Sequence, residues 1–104
     1  MADFITYKFP DHKSGDTFQG VAFTISVNGT PPSLVGATIN MKVGDKTYSN
    51  TGRGEIEVTD ALNCKFQLKE QRIILPPKTY DVAITILFAD GKVKTYIRGT
   101  WRIL

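Results

Sequence analysis

The sequence contains one cysteine and one histidine, and both scarcities limit what the protein does. A single cysteine, Cys64, cannot form an intramolecular disulfide, which excludes a small disulfide-stapled secreted scaffold. A zinc site needs three or four ligands at recognisable spacing, and His12 and Cys64 alone do not supply them. A serine or cysteine nucleophile would need a placed base, and His12 is expected in a polar surface loop. We therefore expect no enzyme activity, no metal site and no cofactor.

Long apolar runs are also missing. No stretch approaches the roughly 20 residues that a membrane helix needs. The first ten residues lack the basic start and the apolar core of a signal peptide. We therefore expect neither a membrane-spanning segment nor a membrane partner.

The rest of the composition is that of an ordinary globular protein. The chain has 104 residues, of which 41% are hydrophobic and 22% charged. We expect one domain that spans residues 1–104, since this length suits a single core. The net charge of +3 falls short of the basic excess typical of a dedicated nucleic-acid binder.

Apolar residues alternate with polar residues along most of the chain, which is the period of a half-buried β-strand. Short turn segments rich in glycine and proline separate these runs at intervals of 8–12 residues. The pattern predicts an all-β protein, an antiparallel sandwich of about seven strands. The two longest runs are Tyr80, Val82, Ile84, Ile86 and Phe88, then Val93, Thr95, Ile97, Gly99, Trp101 and Ile103.

The two longest runs are predicted to form one hairpin. Asp90-Gly91 between them is a favoured two-residue type I′ turn, in which both residues take positive φ. Such a turn places Ile84 opposite Ile97 and Tyr80 opposite Trp101, so that core-facing residues meet core-facing residues.

Two local features follow from the strand pattern. Phe18 is out of phase with the apolar residues that follow it, and a bulge at Gln19-Gly20 would restore the phase. Tyr80, near the start of a late strand, is placed to form a tyrosine corner, with its hydroxyl returning to nearby backbone.

The hairpin face opposite the core carries the candidate interface. Asp81 is the only acid expected on that part of the sheet. Three interpretations remain open: a solvated face, a protein interface, or a nucleic-acid surface on which Tyr96 stacks against bases. Leu87 beside Tyr96 favours a protein contact. The candidate interface residues are Leu87, Lys92, Lys94, Tyr96, Arg98 and Arg102.

A series of short motifs resembles a known family, the immunoglobulin-like N-terminal domain of phage baseplate upper proteins and related small tail-associated prophage proteins. The resemblance covers about Asp16 to Ile103, although Pro77-Lys78 stands where the family usually has a glycine. The motifs are Gly15-Asp16-Thr17-Phe18, Asn28-Gly29-Thr30-Pro31, Leu34 to Met41, Leu75 to Asp81, Asp90-Gly91-Lys92-Val93 and Gly99 to Ile103.

The resemblance implies an immunoglobulin-like β-sandwich that acts as a non-catalytic structural or adaptor protein of a phage or prophage tail. Its partners would be other tail or baseplate proteins, or further copies of itself in a symmetric oligomer, with nucleic acid a poor candidate. Its location would be the virion, or the bacterial cytoplasm before assembly. The alternative is a small binding module for nucleic acid or carbohydrate that uses the basic strand face.

Overall fold

The computed structural model describes residues 5–26, 29–51 and 54–104, and these residues form strands and loops without a helix. Accordingly, they contain no helix of the length and apolarity needed to cross a bilayer. The motif Asn28-Gly29-Thr30-Pro31 begins outside the described residues. The strands are β1 (Ile5–His12), β2 (Thr17–Phe18), β3 (Val21–Thr24), β4 (Thr38–Val43), β5 (Lys46–Ser49), β6 (Ile56–Asp60), β7 (Lys65–Leu68), β8 (Gln71–Arg72), β9 (Lys78–Leu87) and β10 (Val93–Ile103).

The strands build a two-layer sandwich. One sheet has the order β1-β10-β9-β4-β5, and the facing sheet has the order β3-β7-β6. A short β2-β8 ladder forms from the residues just before β3 and just after β7. The central order β10-β9-β4 facing β3-β7-β6 is the arrangement of immunoglobulin domains, with β5 added beside β4. The predicted fold class is therefore confirmed, with ten strands in the described residues rather than about seven.

The break between β2 and β3 is the irregularity predicted at Gln19-Gly20. Gly20 has a φ of 93°, which glycine adopts without strain. A Cβ at Gly20 would approach the carbonyl oxygen of Leu68 to 2.5 Å, so the neighbouring strand also requires glycine here. Because of this break, the Phe18 side chain lies in the core, where it is 8% exposed.

The first strand pairs in a direction that the alternation did not reveal. β1 lies parallel to β10, with Ile5 opposite Ile97 and Phe9 opposite Trp101. The two strands are far apart in the sequence, so no hairpin turn joins them and no turn motif indicates that they pair. The sandwich is thus antiparallel except at this pair.

The β9–β10 hairpin is confirmed, but its turn is not type I′. Asp90 does not take positive φ, whereas Gly91 has a φ of 91°. The Gly91 amide donates to the Phe88 carbonyl at 2.9 Å, and the Phe88 amide donates to the Lys92 carbonyl at 2.8 Å. This is a three-residue loop in which Gly91 forms the bulge.

A second irregularity compensates for the longer loop. The register of β10 against β9 shifts between Thr95 and Ile97, so that Tyr96 is the extra residue. Beyond the shift, Ile97 lies opposite Ile84, as predicted. Trp101 likewise lies opposite Tyr80, so the predicted register is confirmed from Ile97 to Ile103.

The predicted tyrosine corner is present at the start of β9. The Tyr80 hydroxyl donates a 2.6 Å hydrogen bond to the Pro76 carbonyl, four residues upstream. This bond fixes the loop that leads into β9, and the Tyr80 ring is 6% exposed.

Tyr80→Phe should lower the free energy of unfolding by about 1 kcal/mol, since the Pro76 carbonyl loses its donor. Tyr48→Phe is the matched control, because the buried Tyr48 hydroxyl has no hydrogen-bond partner in the described structure. Burial, and secondarily Glu55, raise the pKa of Tyr48 to about 12. Urea unfolding should show Tyr48→Phe as stable as the wild type or more stable. Equal losses in both variants would contradict the corner.

Candidate docking surface

The bulge at Tyr96 decides which side chains of β10 face outward. One extra residue reverses, relative to the predicted alternation, the sheet face to which every residue between it and the loop points. Val93 and Thr95 therefore face outward, and the Thr95 hydroxyl lies 3.0 Å from the Thr85 hydroxyl across the strands. Lys94 lies opposite the buried Ile86 and therefore on the core side of the sheet, not on the predicted outer face. It is exposed because it lies at the end of the sheet.

The prediction that Tyr96 lies on the exposed face is wrong. Its side chain is 8% exposed and packs edge-to-face on Phe88, with ring centroids 6.2 Å apart. Burial, with a smaller contribution from Cys64, raises the pKa of the Tyr96 hydroxyl. Trp101 is fully buried as predicted, so neither aromatic ring is available to stack on a base or a sugar.

The remaining predicted interface residues divide into two groups. Leu87, Arg98 and Arg102 lie on the outer face of the five-stranded sheet and are exposed. Lys92 lies in the β9–β10 loop, where its ammonium is 3.9 Å from the Asp90 carboxylate. Lys94 lies beside this loop, so the six residues do not form one continuous basic face.

Carboxylates also reduce the basic character of the outer face. Arg102 lies 3.8 Å from Asp11, an acid of β1 that the hairpin alone did not place there. A shallow groove of about 580 Å³ crosses the face, and its lining mixes both signs of charge. The lining residues are Lys42, Gly44, Asp45, Asp81, Val82, Ala83, Arg98 and Gly99.

Four exposed apolar side chains lie in or beside three loops at one end of the sandwich. Leu87 and Val93 are paired across the hairpin at this end, and they are 41% and 64% exposed. Val35 in the β3–β4 loop is 62% exposed, and Leu62 in the β6–β7 loop is 71% exposed. We call these four residues the loop-end patch. Four of the seven exposed large apolar side chains in the described residues belong to it.

The loops that carry the patch are held by specific bonds. The Leu34 amide donates to the Ala61 carbonyl at 2.8 Å, which ties the Val35 turn to the Leu62 loop. The Val35 amide donates to the Ser33 hydroxyl at 3.3 Å. Leu34 is 3% exposed, so a buried anchor lies directly beside the exposed side chain. The exposed position of Val35 is thus a consequence of ordered structure.

The Leu62 loop is fixed in a similar way. The Asn63 side chain donates a 2.7 Å bond to the Asp60 carboxylate, and this bond lowers the pKa of Asp60. Cys64 takes a φ of 52°, the only non-glycine residue in the described structure with positive φ. Its side chain is fully buried, and burial raises the pKa of its thiol. The loop therefore turns sharply and leaves Leu62 at its tip.

The contacts of His12 are those of a structural residue. It ends β1 rather than lying in a loop, and it is half-buried. Its Nε2 atom lies 2.9 Å from the Asp16 carbonyl, and its ring packs edge-to-face on Phe18. In residues 5–26, 29–51 and 54–104, no three His, Cys, Asp or Glu side chains are grouped as metal ligands would be.

Sequence reasoning identified Leu87 but missed Val35, Leu62 and the outward position of Val93. Val35 and Leu62 lie in turns, where the period-two pattern assigns no face. Val93 belongs to the predicted core-facing set, and the Tyr96 bulge reverses it. The available signal was an apolar residue inside each turn, which is unusual for a turn.

Comparison with known proteins adds no identity to this site. No protein-family model matches the chain, and no curated protein matches it.

Proposed function

We propose that this protein is a non-catalytic docking protein of a phage or prophage tail or baseplate, and that it docks through the loop-end patch. The observation that carries the proposal is the exposure of Val35, Leu62, Leu87 and Val93 at one end of the sandwich. The setting in a phage tail rests on the family resemblance alone.

The chemistry of the patch favours a protein partner. Exposed large apolar side chains are typical of the core of a protein interface. Fully burying a valine or leucine side chain is worth roughly 1.5–3 kcal/mol, so the four side chains supply a substantial gross attraction. The partner surface is expected to be apolar at its centre. Before assembly the protein would be in the bacterial cytoplasm, and afterwards in the virion.

Immunogold electron microscopy of particles released by the source strain tests the setting. We expect gold at the tail tip or baseplate when the particles are labelled with antibody against this chain. Unlabelled particles, alongside detectable protein in the lysate, would overturn the tail assignment.

Val93→Asp together with Leu87→Asp tests the surface. The two carboxylates would have to be desolvated on docking, so gold labelling of tails should fall at least about tenfold. Thr100→Asp, on the same outer sheet face but away from the patch, is the matched control and should label as the wild type does. Equal labelling of both variants would show that docking uses another surface.

A further inference from the structure

The edge of β3 is an unusual feature of the sandwich. β3 pairs with β7 on one side, and no strand among the described residues pairs with its other side. The Ile25 amide donates to the Cys64 carbonyl in line with this ladder. Since antiparallel bonding alternates along a strand, Val21 and Phe23 direct their backbone groups toward β7. The backbone groups of Ala22 and Thr24 therefore point to the other edge.

The β3 edge has none of the protection that the other edges of the two main sheets carry. Edge strands are usually guarded by charged side chains or proline, which oppose pairing with another chain. The edge strand β1 carries Lys8, Pro10 and Asp11, β5 carries Lys46, and β6 carries Glu57 and Asp60. By contrast, residues 17–41 contain no Asp, Glu, Lys or Arg.

We propose that β3 pairs antiparallel with β3 of a second copy of this chain, about a two-fold axis at Phe23. In this register Ala22 lies opposite Thr24 of the second copy, and both edge-facing residues of each strand are hydrogen-bonded. The two β3-β7-β6 sheets become one continuous sheet of six strands. The proposal does not depend on the tail assignment, because the β3 edge contains no residue of the loop-end patch.

Self-pairing explains the absence of charge better than pairing with an unrelated strand. In a two-fold antiparallel pair, each charged residue lies near its own like-charged counterpart, which is destabilising. An uncharged edge avoids this repulsion, whereas an unrelated partner would be better selected by opposite charges.

The side chains also suit a two-fold pair. Ala22 and Thr24 are exposed and small, so they do not obstruct the approach of the second strand. Phe23 is half-buried and would meet its counterpart as an aromatic cross-strand pair.

A charge-exchange pair of variants tests the interface and its register, with sedimentation equilibrium of the full chain at increasing concentration as the measurement. Ala22→Lys with Thr24→Lys places lysines directly opposite each other, so the dimer should dissociate. Ala22→Lys with Thr24→Glu places a lysine of each copy opposite a glutamate of the other, so the dimer should persist. We expect dissociation constants that differ by about tenfold or more between the two variants.

A control variant and two contradicting results complete the test. Thr59→Lys on the β6 edge is the control and should dimerise as the wild type does, with far-UV circular dichroism confirming that every variant is folded. A wild-type chain that stays monomeric at every concentration overturns the proposal. A dimer of equal strength in the two double variants also overturns it, since the copies would then meet elsewhere. Tail labelling can fail while this dimer is present, so the two proposals fail separately.

Discussion

Gly99→Ala should be among the most destabilising single-methyl additions in this protein, lowering the free energy of unfolding by about 3 kcal/mol. Gly99 lies in the middle of β10, with Tyr7 of β1 on one side and Val82 of β9 on the other. A Cβ atom at Gly99 would overlap the carbonyl oxygen of Tyr7. Because the obstacle is backbone, rotation of a side chain cannot relieve it, and β1 must move away from β10.

Displacement of β1 is costly because this strand carries part of the core. Phe9 is fully buried, and Tyr7 packs edge-to-face on Phe23 of the facing sheet with ring centroids 5.5 Å apart. A loss of about 3 kcal/mol is a large fraction of the roughly 5–15 kcal/mol typical of a small domain. The chemical denaturation midpoint should therefore fall markedly.

Thr100→Ala is the matched control for Gly99→Ala. Thr100 is the next residue of β10, is exposed, and pairs with the same two strands. Its replacement should change the free energy of unfolding by less than about 0.5 kcal/mol. If Gly99→Ala unfolds at the same denaturant concentration as Thr100→Ala, β1 does not pair with β10 with Tyr7 opposite Gly99.

The alternation pattern predicted the faces of strands but not their neighbours. It identified the core-facing residues of β9, and turn chemistry joined β9 to β10, because both signals are local. The pairing of β1 with β10 depends on contacts between residues about 90 positions apart, such as Phe9 and Trp101. Nothing local in the sequence marks such a pair.

The candidate interface was predicted only in part, for a related reason. The loop is one residue longer than predicted, and the bulge at Tyr96 offsets this shift, so that the pairing is as predicted from Ile97 onward. The positions of Arg98 and Arg102 were therefore right, while Tyr96 and Val93 were assigned to the wrong faces. The sequence alternation does not distinguish the two registers, since Tyr96 and Ile97 are both suited to a core position. The packing of Tyr96 on Phe88 favours the register with the bulge.

Trp101→Ala should cost about 3–5 kcal/mol, the range for deleting a buried tryptophan side chain. The Trp101 side chain is fully buried and stacks on Phe9, with ring centroids 5.0 Å apart. It also packs on Phe18 at 4.9 Å, so it joins β10 to both β1 and β2. Its Nε1–H donates a 3.0 Å bond to the Pro10 carbonyl, which would lose its donor in the variant.

Trp101→Phe separates the ring packing from the hydrogen bond. It keeps an aromatic ring between Phe9 and Phe18 but leaves the Pro10 carbonyl without a donor, so its loss should lie well below that of alanine. Urea unfolding followed by far-UV circular dichroism measures all three proteins, because neither variant retains a tryptophan for fluorescence. Equal losses for phenylalanine and alanine would mean that the bond to Pro10, rather than the packing, holds β1 in place. A loss below about 1 kcal/mol for alanine would contradict the position of Trp101 in the core.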